Sequence, residues 1–150
     1  MTDRLSRLER SRNMSRIRSR DTEPELRVRR YLHAAGLRYK LHVRELPGCP
    51  DLVFPSRGLV LFVHGCFWHR HEGCRLAYVP KSNFVFWEAK FAANIGRDER
   101  VVARLASMGW RCDIVWECQT RDPEMLAKLL AMIRKLPQSR RHPPYLGELT

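Results

Sequence analysis

The sequence has no apolar run long enough to span a bilayer, and its first 20 residues contain no apolar core of the kind that a secretion signal requires. Acidic residues are also few: 16 Asp and Glu stand against 28 Lys and Arg, which leaves a formal net charge of +12. We therefore expect a cytoplasmic protein with no membrane partner. The charge favours a polyanionic partner, with nucleic acid ahead of an anionic membrane surface.

The chain has five cysteines and no internal repeat. In a reducing compartment, cysteines serve as thiols or metal ligands rather than as a disulfide framework. At 150 residues the chain suits one domain with its own core. We expect an arm over residues 1–20, a domain over 21–136 and a tail over 137–150. The arm carries seven arginines, which favours phosphate binding over a solvated, disordered segment.

Hydrophobic periodicity predicts a layered α/β fold, with a small mixed sheet between helices. The first helix should begin near Thr22, because Thr22 and Glu25 have the spacing of a capping box, and it should end at Gly36. The apolar run 59–63 should be a central strand buried on both faces. The remaining elements are predicted as strands over 37–43, 51–54 and 111–117 and as helices over 85–108 and 123–135.

The segment from His64 to Cys74 holds three histidines and two cysteines within 11 residues. Cys66, His71 and Cys74 are spaced like metal ligands. Tetrahedral zinc needs a fourth nitrogen or sulfur ligand, and four protein ligands would make the site structural. Cys118 is the natural fourth ligand, because it ends a strand that should neighbour the strand before His64. The alternative is that these cysteines are buried apolar thiols, as we expect for Cys49 and Cys112. The candidate zinc ligands are Cys66, His71, Cys74 and Cys118.

A second set of side chains has the chemistry of a metal-dependent nuclease. Asp51 opens one strand and His64 closes the next, so a hairpin should bring both to one edge of the sheet. Mg²⁺ keeps most of its waters, and Asp51 with a backbone carbonyl near Val63 would suffice to hold it. The acidic-x-Lys motif that usually completes such a core is missing, but an imidazole with a carboxylate partner can move protons near neutral pH. The candidate set is Asp51, His64, His69 and Asp98.

Asp98 lies on the predicted core-facing stripe of the long helix, at positions 91, 95, 98, 102 and 105. A buried carboxylate is costly without a partner. Asp98 is therefore either half of a structural ion pair or a side chain that points into a site. For Pro50–Asp51 taken alone, a plain turn is the simpler interpretation, and the whole candidate set is what favours a site.

Aromatic residues accompany the histidines. Phe67 and Trp68 lie in a polar loop and not on a periodic stripe, which favours exposure over core packing. Trp87 lies near a helix start, where core packing and exposure both remain open.

The residues described so far resemble the very-short-patch repair (Vsr) endonucleases, which nick T:G mismatches associated with cytosine-5 methylation. The block His-Gly-Cys-Phe-Trp-His at 64–69 is highly specific for that family. Arg70 and Glu72 depart from the family pattern, which has further histidines there, and Val63 stands in place of a threonine. Other matching segments are 11–14, 21–25, 46–51, 86–87, 94–98, 109–110 and 115–118.

The resemblance implies a restriction-endonuclease-like core and assigns roles within it. Zinc would be held by Cys66, His71, Cys74 and Cys118, and Mg²⁺ by Asp51 and the carbonyl of Val63. His69 would be the general base, held by Asp98, while His64 and Glu25 would assist near the scissile phosphate. The residues implied to intercalate beside the mismatch are Phe67, Trp68 and Trp87.

The resemblance also implies an activity: a monomeric, Mg²⁺-dependent endonuclease that nicks on the 5′ side of the thymine in T:G mismatches left by deamination of 5-methylcytosine. Its substrate would be double-stranded DNA with that mismatch, at the bacterial nucleoid. A functional link to a cytosine-5 DNA methyltransferase and to mismatch-repair proteins is implied as well. Two alternatives stay open: a non-catalytic zinc module that binds distorted DNA, and a restriction-type nuclease that acts on matched DNA.

Overall fold

The computed structural model describes residues 20–139 and shows a four-stranded mixed sheet flanked by helices. The strands run in the order β1-β2-β3-β4, with antiparallel pairing of β1 with β2 and of β2 with β3, and parallel pairing of β3 with β4. The strands are β1 (Lys40–Leu41), β2 (Leu52–Phe54), β3 (Leu59–His64) and β4 (Arg111–Trp116). The helices are α1 (Glu23–Ala34), α2 (Phe84–Ser107) and α3 (Pro123–Lys135), so the predicted order of elements is confirmed.

The sheet separates two apolar clusters, because successive side chains of a strand point to opposite faces. The face with Leu52, Leu59 and Leu61 packs with side chains of α1 and α3. The opposite face, with Val53, Val60 and Phe62, packs with Leu105 of α2. The sheet is therefore the middle of three layers, and β3 is buried on both faces as its continuous apolar sequence predicts.

The parallel β3–β4 pair positions the site. Its register places His64 opposite Trp116, so the two strands end side by side. The loop after β3 and the short 3-10 helix after β4 (Glu117–Arg121) therefore leave the sheet at the same edge. Residues 47 to 52 apart in the chain meet there because of the pairing, as was predicted for Cys118.

Two predicted elements differ from the structure. The strand expected over 37–43 shrinks to Lys40–Leu41, because His42 has a left-handed backbone with φ of 46° that ends the extended run. Ile95, placed on the core-facing stripe of α2, is 40% exposed. The buried positions of α2 are Phe91, Asn94 and Leu105, so the two ends of the predicted stripe are buried, but the polar Asn94 is buried in place of Ile95.

The start of α1 is close to the prediction. Thr22 is the N-cap, and its side-chain oxygen accepts the backbone N–H of Glu25 at 3.4 Å. The second half of the expected capping box is shifted, because Oε2 of Glu25 accepts the backbone N–H of Asp21 at 3.0 Å. Glu25 is 1% exposed and turns the rest of its carboxylate towards other groups.

The predicted arm over 1–20 lies outside the described residues apart from Arg20, and so does the predicted tail beyond Ser139. Within residues 20–139, no helix is long and apolar enough to cross a membrane.

Candidate active site and metal centre

A cavity of about 600 Å³ opens at the carboxyl end of β3. It brings together the backbone of Val63 and all four residues of the predicted catalytic set. The rim is basic, with Arg20, Arg44 and Arg97. A basic rim around carboxylates and imidazoles suits an anionic substrate. The predicted residues that line the cavity are Asp51, Val63, His64, His69 and Asp98.

Asp51 lies at the floor of this cavity. Its Oδ2 accepts the backbone N–H of Val63 at 2.7 Å, which fixes the carboxyl group beside the end of β3. Burial, together with a hydrogen bond to Glu25, raises the pKa of Asp51 to about 8. Two carboxyl groups that are hydrogen-bonded to each other share a proton unless a cation replaces that proton. The pair is therefore a fitting site for a divalent cation with oxygen ligands.

Glu25 is the other member of the pair. Oε1 lies 2.9 Å from Nε2 of His42, and Oε2 accepts Nη1 of Arg29 at 3.1 Å. Burial works to raise the pKa of Glu25, but hydrogen bonds to Asp51, His42 and Arg29 outweigh it and lower that pKa. Glu25 is therefore the ionised partner, and Asp51 holds the shared proton.

His69 and Asp98 form a second pair within the cavity. Nδ1 of His69 lies 2.7 Å from Oδ2 of Asp98, which leaves Nε2 of the imidazole for a reacting group. The ring of His64 stacks on that of His69, with centroids 3.7 Å apart and planes 9° apart. Burial, and then the charge of His69, lower the pKa of His64 to about 4. His64 is therefore a neutral imidazole at neutral pH, and Asp98 is a partner of His69 rather than half of an ion pair with a basic residue.

The four predicted zinc ligands also meet. Their ligand atoms all lie within 4.8 Å of one another. Nδ1 of His71 lies 3.6 Å from Sγ of Cys66 and 3.5 Å from Sγ of Cys118. A tetrahedral zinc with ordinary bond lengths separates such atoms by about 3.5 Å. The donor set and spacing therefore fit zinc, with Cys74 as the remaining ligand.

The three residues predicted to intercalate lie in one aromatic cluster. The ring centroids of Phe67 and Trp87 are 5.4 Å apart, and those of Trp68 and Trp87 are 5.9 Å apart. All three are half-buried, so the exposure expected for Phe67 and Trp68 is only partial. Phe67 also contacts Tyr78 and the buried Phe91. Nε1 of Trp87 is buried and has no hydrogen-bond partner among the described residues.

Two residues of this region, Arg70 and Asn94, make contacts to which the sequence analysis assigned no role. Arg70 has a left-handed backbone (φ 56°) and donates from Nη1 to the carbonyls of Phe67 and Tyr78, and from Nη2 to that of Ala77. Asn94 donates to the carbonyl of Trp68 at 3.0 Å. A polar residue three positions after Phe91 was a readable signal for Asn94, whereas no pattern indicated Arg70.

Cys49 corrects a further expectation. It is exposed and lines the cavity, whereas a packing thiol was predicted. Cys112 is half-buried, and burial raises its pKa to about 11, as expected for a packed thiol.

A mixed α/β fold with a carboxylate pair, a histidine–carboxylate pair and a four-ligand Cys/His cluster at one sheet edge defines a hydrolase-like site with two potential metal centres. The family model described as "DNA mismatch endonuclease Vsr" matches residues 2–75. A type II nicking enzyme, V.XorIIP of Xanthomonas oryzae pv. oryzae, is 52% identical over 136 residues, which cover 91% of this chain and 97% of that protein.

Two further relatives agree with this match. The DNA mismatch endonuclease Vsr of Escherichia coli is 43% identical over 126 residues, covering 84% of this chain and 80% of the relative. The type II nicking enzyme V.NmeAIP of Neisseria meningitidis is 38% identical over 122 residues, covering 81% and 86%. This chain belongs to the Vsr family of DNA mismatch endonucleases, and it is an endonuclease.

Proposed function

We propose that this chain nicks double-stranded DNA on the 5′ side of the thymine in a T:G mismatch, in repair of deaminated 5-methylcytosine. One observation carries the proposal: the Asp51 carboxyl group and the His69–Asp98 pair share one basic cavity. The printed names of the relatives, a mismatch endonuclease and nicking enzymes, support the reaction class. The order of elements and the mixed sheet are consistent with a restriction-endonuclease-like core.

His69 is the proposed general base. With Nδ1 held by Asp98, Nε2 accepts a proton from the attacking water, and Asp98 stabilises the imidazolium that results. His64, kept neutral by burial, lies flat against His69 and assists beside the scissile phosphate without adding a second charge. Glu25 is ionised and orients water near Asp51.

Asp51 and the carbonyl of Val63 are the proposed ligands of a catalytic Mg²⁺. When bound, such an ion neutralises charge on the phosphate as the transition state forms. The hydrogen bond from the backbone N–H of Val63 keeps the Asp51 carboxylate beside Val63, whose carbonyl is the other proposed ligand. The site therefore needs little rearrangement to bind the ion. The carboxylate pair without a cation must keep a proton, which is the physical reason that a divalent ion suits it.

A structural zinc at Cys66, His71, Cys74 and Cys118 is proposed to hold the loop that carries His69, the proposed general base. His69 lies between two of those ligands in sequence. Fixing the loop therefore fixes the distance from His69 to Asp51. Phe67, Trp68 and Trp87, presented from the same loop and from α2, are proposed to enter the base stack, which costs least at a mismatch.

The remaining proposals concern the cell. We place the enzyme in the bacterial cytoplasm at the nucleoid, acting as a monomer. We also propose a functional link to a cytosine-5 DNA methyltransferase and to mismatch-repair proteins. The charge of +12 supports DNA binding and gives no preference for a protein partner.

The experiment compares His69→Ala with wild type on a T:G duplex and on the matched T:A duplex, with Mg²⁺. His33→Ala on the exposed end of α1 is the matched control. We expect T:G-selective nicking by wild type and by the control, and at least a hundredfold lower rate for His69→Ala with DNA binding retained. Equal cleavage of both duplexes would instead support a restriction-type nuclease. Binding without cleavage by wild type would support a non-catalytic module.

A further inference from the structure

The aromatic cluster around Phe67 has an exposed side that the roles assigned so far do not use. Tyr78 is 61% exposed and Phe86 is 42% exposed, whereas Phe67 and Trp87 are half-buried. The ring of Tyr78 lies 4.9 Å from that of Phe67, and the ring of Phe86 lies 5.2 Å from that of Trp87. Tyr78 and Phe86, the aromatic rim, thus continue the cluster outwards at two sides.

The inner members of the cluster are enclosed by their neighbours. Phe67 has rings of Trp68, Trp87 and Phe91 around it at centroid distances of 5.1, 5.4 and 5.3 Å. The indole nitrogen of Trp87 is buried. Tyr78 and Phe86 are therefore the more exposed rings of the cluster.

Arg70 ties one side of the aromatic rim, at Tyr78, to the inner cluster. Its guanidinium lies 3.9 Å from the centroid of the Phe91 ring and donates to the carbonyl of Tyr78 at 3.0 Å and to that of Ala77 at 2.9 Å. The backbone that carries Tyr78 is thereby tied to the same side chain that holds Phe67. An aromatic surface that is already ordered loses little entropy when it stacks on a base.

The surroundings of the aromatic rim suit DNA. Arg75 and Lys81 are exposed and flank Tyr78 in sequence, and the nearby Val79 is 59% exposed. Stacked bases offer apolar faces and phosphates offer negative charge, so a surface with aromatic rings between cations matches both. This surface combines exposed aromatic rings with nearby cations. It is therefore complementary to an opened base stack rather than to an uncharged partner.

We infer that Tyr78 and Phe86 stack on bases that flank the opened step at the mismatch, beside the rings of Phe67 and Trp87 that are proposed to enter it. The inference rests on the proposed function, because it takes mismatched DNA as the ligand. It adds two base-contacting residues to the site. It also gives Arg70 a role, which is to position the ring of Tyr78 over the inner cluster.

The test measures binding to a T:G duplex with 2-aminopurine beside the mismatch, in magnesium-free buffer with zinc present. Tyr78→Ala and Phe86→Ala should each bind about tenfold more weakly than wild type and should give a smaller rise in 2-aminopurine fluorescence. Tyr78→Phe should bind like wild type, since the ring is kept. Val85→Ala, at the same helix start but not aromatic, should also be unchanged.

Zinc content and far-ultraviolet circular dichroism show whether the variants fold. The inference fails if folded Tyr78→Ala and Phe86→Ala bind like Val85→Ala. It also fails if these substitutions change self-association by sedimentation and leave DNA binding intact, because the surface would then be a protein interface. A duplex with an abasic site separates the two proposals. If wild type shows no preference for the T:G duplex, but Tyr78→Ala and Phe86→Ala still weaken binding to the abasic duplex, the proposed function fails and the stacking role stands.

Discussion

The ionisation of the Asp51 carboxyl group depends strongly on folding. Its pKa is raised from an ordinary value of 3.8 to about 8, by burial and then by Glu25. The folded state therefore holds this proton more tightly than the unfolded state does. In the absence of Mg²⁺, the stability that this proton contributes is fully present below pH 4 and is lost as the pH rises towards 8.

Asp51→Asn removes that titration and keeps an oxygen that can accept the N–H of Val63. In magnesium-free buffer, we expect the variant to exceed wild type in free energy of unfolding by about 1–3 kcal/mol at pH 8.5, with a smaller difference at pH 5. Nicking should be lost. Urea unfolding from pH 5 to 9 measures the difference, with Glu99→Gln on the exposed side of α2 as the control. A difference that does not grow with pH contradicts the assignment.

The structural role of Arg70 could not be predicted from the sequence. Its three hydrogen bonds go to backbone carbonyls, which leave no trace in the sequence of the partners. We expect Arg70→Ala to lower the free energy of unfolding by about 2 kcal/mol, and Arg70→Lys to recover part of it, because an ammonium group lacks the planar fork. Arg75→Ala, which removes an exposed arginine nearby, should cost under about 0.5 kcal/mol. Equal unfolding curves for all three variants would refute this role.

At the scale of elements, the sequence predicted what depends on local periodicity. The apolar run of β3 and the Thr22 N-cap of α1 are read from neighbouring residues, and both are present. Which residue the middle of α2 buries is set by tertiary packing, so Phe91 and Leu105 were placed correctly in the core, but Ile95 was counted as core in place of Asn94. The early end of β1 depends on the backbone of His42, a conformation that few non-glycine residues adopt.

The observed burial of α2 predicts unequal costs for truncating Ile95 and Leu105 to alanine. Ile95→Ala should lower the free energy of unfolding by no more than about 1 kcal/mol, because the side chain is 40% exposed. Leu105→Ala should cost about 2–5 kcal/mol, because Leu105 is fully buried against the sheet. Chemical denaturation of both variants gives the comparison. If the two substitutions lowered the free energy of unfolding equally, Ile95 would have to be a core residue, as the sequence first indicated.

At the scale of the whole molecule, the parallel β3–β4 pair joins distant parts of the chain into one site. It was predictable that the ends of these strands would meet, because a central apolar strand and a later strand with a helix between them favour parallel pairing. The side-chain geometry was not predictable, since the stacking of His64 on His69 and the link from Glu25 to Asp51 depend on positions fixed by all three layers.

The Cys/His cluster lies at this edge of the molecule, so loss of the proposed zinc should act on the site as a whole. Cys118→Ser should release zinc, lower the stability by several kcal/mol and reduce nicking at least a hundredfold, because the loop with His69 loses its anchor. Cys112→Ser is the matched control, because Cys112 lies on β4 outside the cluster. Zinc content by elemental analysis and nicking rates test this together. One zinc per chain retained by Cys118→Ser would rule out the proposed ligand set.

The central claim is tested most directly by mapping the nick on a duplex in which each strand carries its own end label. With Mg²⁺ and a single T:G mismatch, we predict one cut in the thymine strand, immediately 5′ of the mismatched thymine. The complementary strand should stay intact, and Asp51→Asn should give no cut. Cuts in both strands, or equal cutting of the matched T:A duplex, would contradict the account.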